Sequence, residues 1–93
     1  MPRISKPIDG SRSPLHALGA AVRDLRHGRW ISQEDLGRRA RLHRNYIGAI
    51  ERGEINPTFR TLLRVVDGLG VSLPELIERY EAKAAQMRPR RAR

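Results

Sequence analysis

The chain has 93 residues, enough for one domain with a modest hydrophobic core and too few for two. It contains no cysteine, which excludes disulfides and thiolate metal sites, and no apolar run near the roughly 18 residues of a membrane span. The formal net charge of +9, from 19 Lys and Arg against 10 Asp and Glu, implies a polyanionic partner, with nucleic acid the best fit.

The charge is unevenly spread. Residues 1–14 carry three cations and one acid, residues 15–81 carry eleven and nine, and residues 82–93 carry five and none. The central part is nearly balanced and the end of the chain supplies most of the excess. Seventeen of the 19 basic residues are Arg, whose forked guanidinium suits phosphate and guanine edges, although codon bias in a GC-rich genome explains most of the preference over Lys. Arg3 and Lys6 are followed by no apolar stretch, so no secretory signal is expected and the expected location is cytoplasmic, with the nucleoid.

Residues 1–12, with Pro2, Pro7 and Gly10, read as a flexible N-terminal arm. Ser13-Pro14 then supplies an N-cap and a first-turn proline. Leu15, Leu18, Val22 and Leu25 follow at helical spacing, and Gly28 stops this first helix. A second helix begins at Ser32, where Ser32 and Asp35 make an approximate capping box and Ile31 can staple onto Leu36. Leu36 and Ala40 face inward, and Arg41-Leu42-His43 forms a turn. The third helix runs from about Arg44 to Arg52, with His43 as N-cap, Ile47 and Ile50 on the core side and Gly53 as its stop.

Thr58 caps a fourth helix whose expected buried stripe is Leu62, Leu63, Val66 and Leu69, ended by Gly70. The fifth has a full capping box, Ser72 with Glu75, and a Val71–Leu76 staple. Leu73, Leu76, Ile77 and Tyr80 lie along one side of it. The expected organisation is therefore all-α: an arm over 1–12, a five-helix domain over 13–81 and a basic tail over 82–93. Two short helices joined by a tight turn, the second opening on long polar side chains, form a layout that presents one helix to the major groove of DNA.

The pattern Ser32-Gln33-Glu34, Leu36, Ala40, Leu42, Ile47, Ile50-Glu51, Gly53 and Asn56-Pro57 resembles the phage-repressor-type helix-turn-helix family, the Cro and lambda-repressor-like (Xre-type) regulators. The run Leu69-Gly70-Val71-Ser72-Leu73 with Glu75-Leu76 is similar to that family's junction between helices four and five. The resemblance spans about residues 15–80 and implies a compact five-helix fold, binding to double-stranded operator DNA, and a symmetric homodimer. It makes the third helix the recognition helix, with Arg44 and Asn45 on base edges and Tyr46 and Ala49 adding apolar contact. The chemistry agrees, since Arg is bidentate to guanine and Asn to adenine. Gln33 matches the family's phosphate-clamping glutamine, and Arg41, Arg52, Asn56, Thr58 and Arg60 are expected on the phosphate backbone. Glu51 matches an acid that pairs with an Arg of the first helix, here Arg26.

Three positions depart from the family. Arg41 stands where most relatives have a left-handed Gly, a substitution costing about 1 kcal/mol. Gly37 replaces the usual Ala and is expected to weaken the second helix by up to about 1 kcal/mol. Gly48 replaces a common Ser and is expected to let the helix backbone sit close to DNA.

Simpler roles suit the remaining polar residues. His16, His27 and His43 have no metal-ligand spacing, no hydrolytic triad is arranged, and neither cofactor nor catalytic residue is expected. Trp30 is expected to be a lid on the core. The side of the fifth helix that carries Leu73, Leu76, Ile77 and Tyr80 either closes the core or joins a two-fold interface; both are expected, with the earlier residues inward and Ile77 and Tyr80 partly toward a second copy of the chain. The leading expectation is a transcriptional regulator, a repressor or autoregulator, on a pseudo-palindromic operator with half-sites about one helical turn apart. The alternative is a protein-interaction module on the same fold, such as an antitoxin bound to a toxin or a coactivator-like adaptor; an enzyme has no supporting constellation.

Overall fold

The computed structural model describes residues 13–88. In chain order these form α1 (Pro14–Gly28), α2 (Gln33–Ala40), α3 (Arg44–Glu51), α4 (Phe59–Leu69) and α5 (Leu73–Met87), with no strand among the described residues. The five-helix, all-α expectation holds. The arm over 1–12 lies outside the described residues, as do residues 89–93 of the basic tail, whereas residues 82–87 continue α5.

Local chemistry sets the helix starts. Ser13 accepts from the Leu15 N–H at 3.0 Å, with Pro14 in the first turn of α1. The Ser32 hydroxyl accepts from the Asp35 N–H at 2.9 Å, and the Asp35 carboxylate accepts from the Ser32 N–H at 3.3 Å. This box is fully reciprocal, stronger than the approximate one expected, and these bonds with Ser32, aided by Arg38, hold the Asp35 carboxyl below its ordinary pKa. At α5 the opposite occurs. Ser72 accepts from the Glu75 N–H at 3.2 Å, but the Glu75 carboxylate instead lies 3.9 Å from Arg29, so the expected full box is half made.

Ala21, Val22, Leu25, Leu36, Ile47, Ile50, Val65, Val66, Leu69 and Leu76 form a continuous buried core drawn from all five helices. Ile31, Leu42 and Val71 pack against it from positions just before α2, α3 and α5, as the staple spacings require. Two expectations fail here. Leu63 is 42% exposed and Val65 takes its place in the core, because an eleven-residue helix that buries Val66 and Leu69 and half-buries Leu62 turns position 65 inward and position 63 out. Trp30 is no lid: it is 94% exposed, at a left-handed backbone angle of φ 57° that turns it outward while its neighbour Ile31 enters the core.

Helix α1 is the keel of the molecule, packing on both α3 and α5. It approaches α3 at Gly19, where a Cβ would fall 2.3 Å from the Ile50 carbonyl oxygen and 2.5 Å from that of Glu51. No larger residue permits that contact without moving α3. On its other side Asp24 pairs with Arg79 and lies 3.9 Å from Lys83, both on α5.

Candidate nucleic-acid interface

The turn between α2 and α3 fixes how α3 is presented. Arg41 ends α2 at φ 62° and ψ 44°, the left-handed conformation expected for it, and the Leu42 N–H donates to the Gly37 carbonyl at 2.8 Å. Gly37 is buried, and a Cβ there would lie 2.5 Å from the Leu42 carbonyl oxygen. Its missing side chain is what allows the turn to fold against α2, so the reading of Gly37 as a simple loss of helix propensity is incomplete. His43 then caps α3 through Nδ1, which accepts from the Asn45 N–H at 3.0 Å.

Helix α3 has two chemically distinct faces. Ile47, Gly48, Ile50 and Glu51 are buried. Arg44 and Asn45, in the first turn, are exposed, with Ala49 half-buried and Tyr46 half-buried against the core. Arg44 and Asn45, expected to read base edges, are therefore exposed to solvent at the start of a helix whose other face is anchored in the protein.

Behind that face lies a charged knot. Glu51 accepts from Arg26 Nε at 2.7 Å and from a second Arg26 nitrogen at 3.1 Å, a bidentate pair buried between α1 and α3. Arg26 also donates to the Ile31 carbonyl at 2.9 Å, which ties the start of α2 into the same group. Arg23 reaches Glu51 at 3.6 Å from the surface. The pairing of Arg26 with Glu51 is thus the geometry the resemblance implied.

Gln33 joins this knot, a link with no local signal because 18 positions separate the partners: its Nε2 donates to Glu51 Oε1 at 3.0 Å. A carboxylate accepts only, so the bond fixes which end of the amide faces Glu51 and leaves one N–H of the amide group for another acceptor. Gly48 lies beneath. A Cβ there would sit 3.0 Å from an Arg52 guanidinium nitrogen and 3.5 Å from Gln33 Oε1. Gly48 is therefore covered by the ends of these two side chains, and its missing Cβ leaves room for both.

Acids sit among the cations of this surface, which the sequence reading did not single out. Arg52 Nε donates to Glu54 at 2.9 Å and a terminal nitrogen donates at 3.1 Å. That pair raises the Arg52 pKa above its ordinary value and lowers that of Glu54. Arg44 lies 3.8 Å from Glu34 on α2. Of the other expected phosphate ligands, Arg41, Asn56 and Arg60 are exposed. Thr58 is exposed too, but its hydroxyl accepts from the Thr61 N–H at 3.1 Å and donates to the Thr61 hydroxyl at 3.0 Å, so it acts chiefly as the cap of α4. Ile77 and Tyr80, expected at a two-fold interface, lie about one turn from each other on α5, with Ile77 41% exposed and Tyr80 half-buried against the core. Among the described residues no group of three His or acidic side chains is placed to hold a metal ion, and no helix is long and apolar enough to cross a membrane.

Comparison with known proteins agrees with this geometry. A family model described as "Helix-turn-helix domain" matches residues 17–80. The control protein C.SmaI of Serratia marcescens is 41% identical over 69 residues, covering 74% of this chain and 82% of that protein. The crystal structure of the clp gene regulator ClgR from Corynebacterium glutamicum superposes with a TM-score of 0.78 at 25% identity, over 82% of this chain and 81% of that one. The wild-type restriction-modification controller protein C.Esp1396I superposes with a TM-score of 0.75 at 28% identity, over 81% of this chain and 97% of that one.

Proposed function

Since the chain belongs to the helix-turn-helix family, among the DNA-binding transcriptional regulators of Cro and lambda-repressor (Xre) type, we propose that it reads operator DNA with the first turn of α3 and represses or autoregulates transcription from it. The observation that carries this reading is the exposure of Arg44 and Asn45 together on a helix whose opposite face is buried. Arg44 pairs with guanine and Asn45 with adenine in the major groove, while Tyr46 and Ala49 offer apolar surface to a thymine methyl. Gln33, Arg41, Arg52, Asn56 and Arg60, with the backbone around Thr58, hold the phosphates on either side and set the register of α3.

The protein acts as a homodimer through the α5 surface that includes Ile77 and Tyr80, and its operator is a pseudo-palindrome with half-sites about one helical turn apart. Its place of action is the nucleoid, in the cytoplasm. The control protein and the restriction-modification controller named above support a controlling role for this chain as well.

Selection of binding sites from random duplex DNA, followed by Arg44→Ala and Asn45→Ala, tests the reading. Each variant is expected to relax preference at one or two positions of the selected site, at a discrimination loss of about 1–3 kcal/mol, while most salt-dependent affinity survives. Equal weakening on the selected site and on random duplex would remove base readout. The exposed Trp30 and Phe59, at 94% and 62%, favour a second reading in which the same fold grips a protein such as a toxin; equal weakening points to it.

A further inference from the structure

We infer that Glu34 and Glu54 are specificity-determining residues that hold Arg44 and Arg52 in the free protein and compete with DNA phosphate for them, so that random duplex is bound weakly. The inference rests on the DNA-reading role of α3 proposed above. Arg52 is gripped at both its Nε and a terminal nitrogen, at 2.9 and 3.1 Å, by a carboxylate two residues away. A phosphate approaching that guanidinium meets the same fork already filled, because carboxylate and phosphate use it in the same way. Arg44 faces Glu34 at 3.8 Å, across the gap between the first turns of α2 and α3.

All four side chains are more than half exposed, so neither pair has a packing role that would explain it. Exposed pairs of this kind contribute little to folding. Their effect falls on binding. When Arg52 moves to a phosphate, Glu54 is left facing a polyanion and draws a cation from solution. That uptake offsets the counterion the phosphate releases. A correct site, where Arg44 gains two bonds to a guanine edge, overcomes the loss of Glu34; a wrong site offers no such return. The acids thus subtract from both kinds of binding but decide only the weaker one, which is how a repulsive element sharpens selectivity.

The test measures binding of the whole protein to a random-sequence 20-base-pair duplex across a series of salt concentrations. Glu54→Gln and Glu34→Gln are each expected to tighten it about two- to fivefold, the range a single exposed ion pair spans. The steepness of log affinity against log salt should rise by up to about 0.9 for each. Glu78→Gln, an equal charge change at an exposed position on α5, should move both quantities much less. In an Arg52→Gln background the effect of Glu54→Gln should vanish. Tightening that persists without Arg52, or that Glu78→Gln reproduces, would mean net charge alone is responsible and overturns the inference, as would no tightening at all. If Arg52→Gln weakens binding while Glu54→Gln changes nothing, only the competition fails. If Arg52→Gln and Arg44→Gln leave binding unchanged, the DNA-reading role of this surface fails with it.

Discussion

Glu51 ties three helices together. Its side chain is fully buried, and it accepts from Arg26 on α1 and Gln33 at the start of α2 while sitting on α3 itself. Removing its charge strands the Arg26 guanidinium in the interior, where an unpaired charge typically destabilises by about 3–5 kcal/mol. Glu51→Gln is therefore expected to lower stability in urea unfolding by about that much, and the double change Arg26→Met with Glu51→Leu to lose far less. A loss below about 1 kcal/mol for the single change would show that water reaches the pair. The partner Arg26 was readable from the resemblance. Gln33 was readable only as a phosphate ligand, because nothing in a linear spacing tells that its amide shares the same carboxylate.

At the scale of elements, the turn from α2 to α3 determines how α3 is set against α2. Propensity alone makes Gly37→Ala stabilising by about 1 kcal/mol. The close approach of the Leu42 carbonyl, at 2.5 Å from where the new Cβ would lie, reverses that sign. The variant is expected to destabilise by about 1–3 kcal/mol, as forced overpacking does, and to shift the amide resonances of Leu42 to Asn45; a raised melting temperature would refute the steric account. Helix starts were legible because caps and staples are contacts among neighbours: Ser13, Ser32, Thr58 and Ser72 all cap as their spacing required. What escaped were choices settled between elements. Leu63 yields its core place to Val65, and Glu75 leaves its own helix start for Arg29.

For the whole molecule, the shortness of α3 limits what one copy can recognise. Eight residues at about 1.5 Å each span roughly 12 Å, or about three to four base pairs. A word that short recurs everywhere in a genome, so a regulator built on this fold gains by reading two at once. The exposed Ile77 on α5 is the place proposed for that pairing. Wild-type protein is expected to sediment as a concentration-dependent dimer, and Ile77→Arg to remain folded but monomeric, with weaker binding to a duplex carrying two half-sites. A wild type that stays monomeric at every concentration would sink the two-fold arrangement.

The outward turn of Trp30 has a practical outcome. It is the sole tryptophan of the sequence, and in the folded state its indole is already surrounded by solvent. Melting the interior hardly alters those surroundings, so ultraviolet emission is a poor gauge of whether this molecule is intact, and loss of helical circular dichroism is the signal that follows it. The same ring is well placed to brighten or dim when another macromolecule comes to lie across the bend that follows α1.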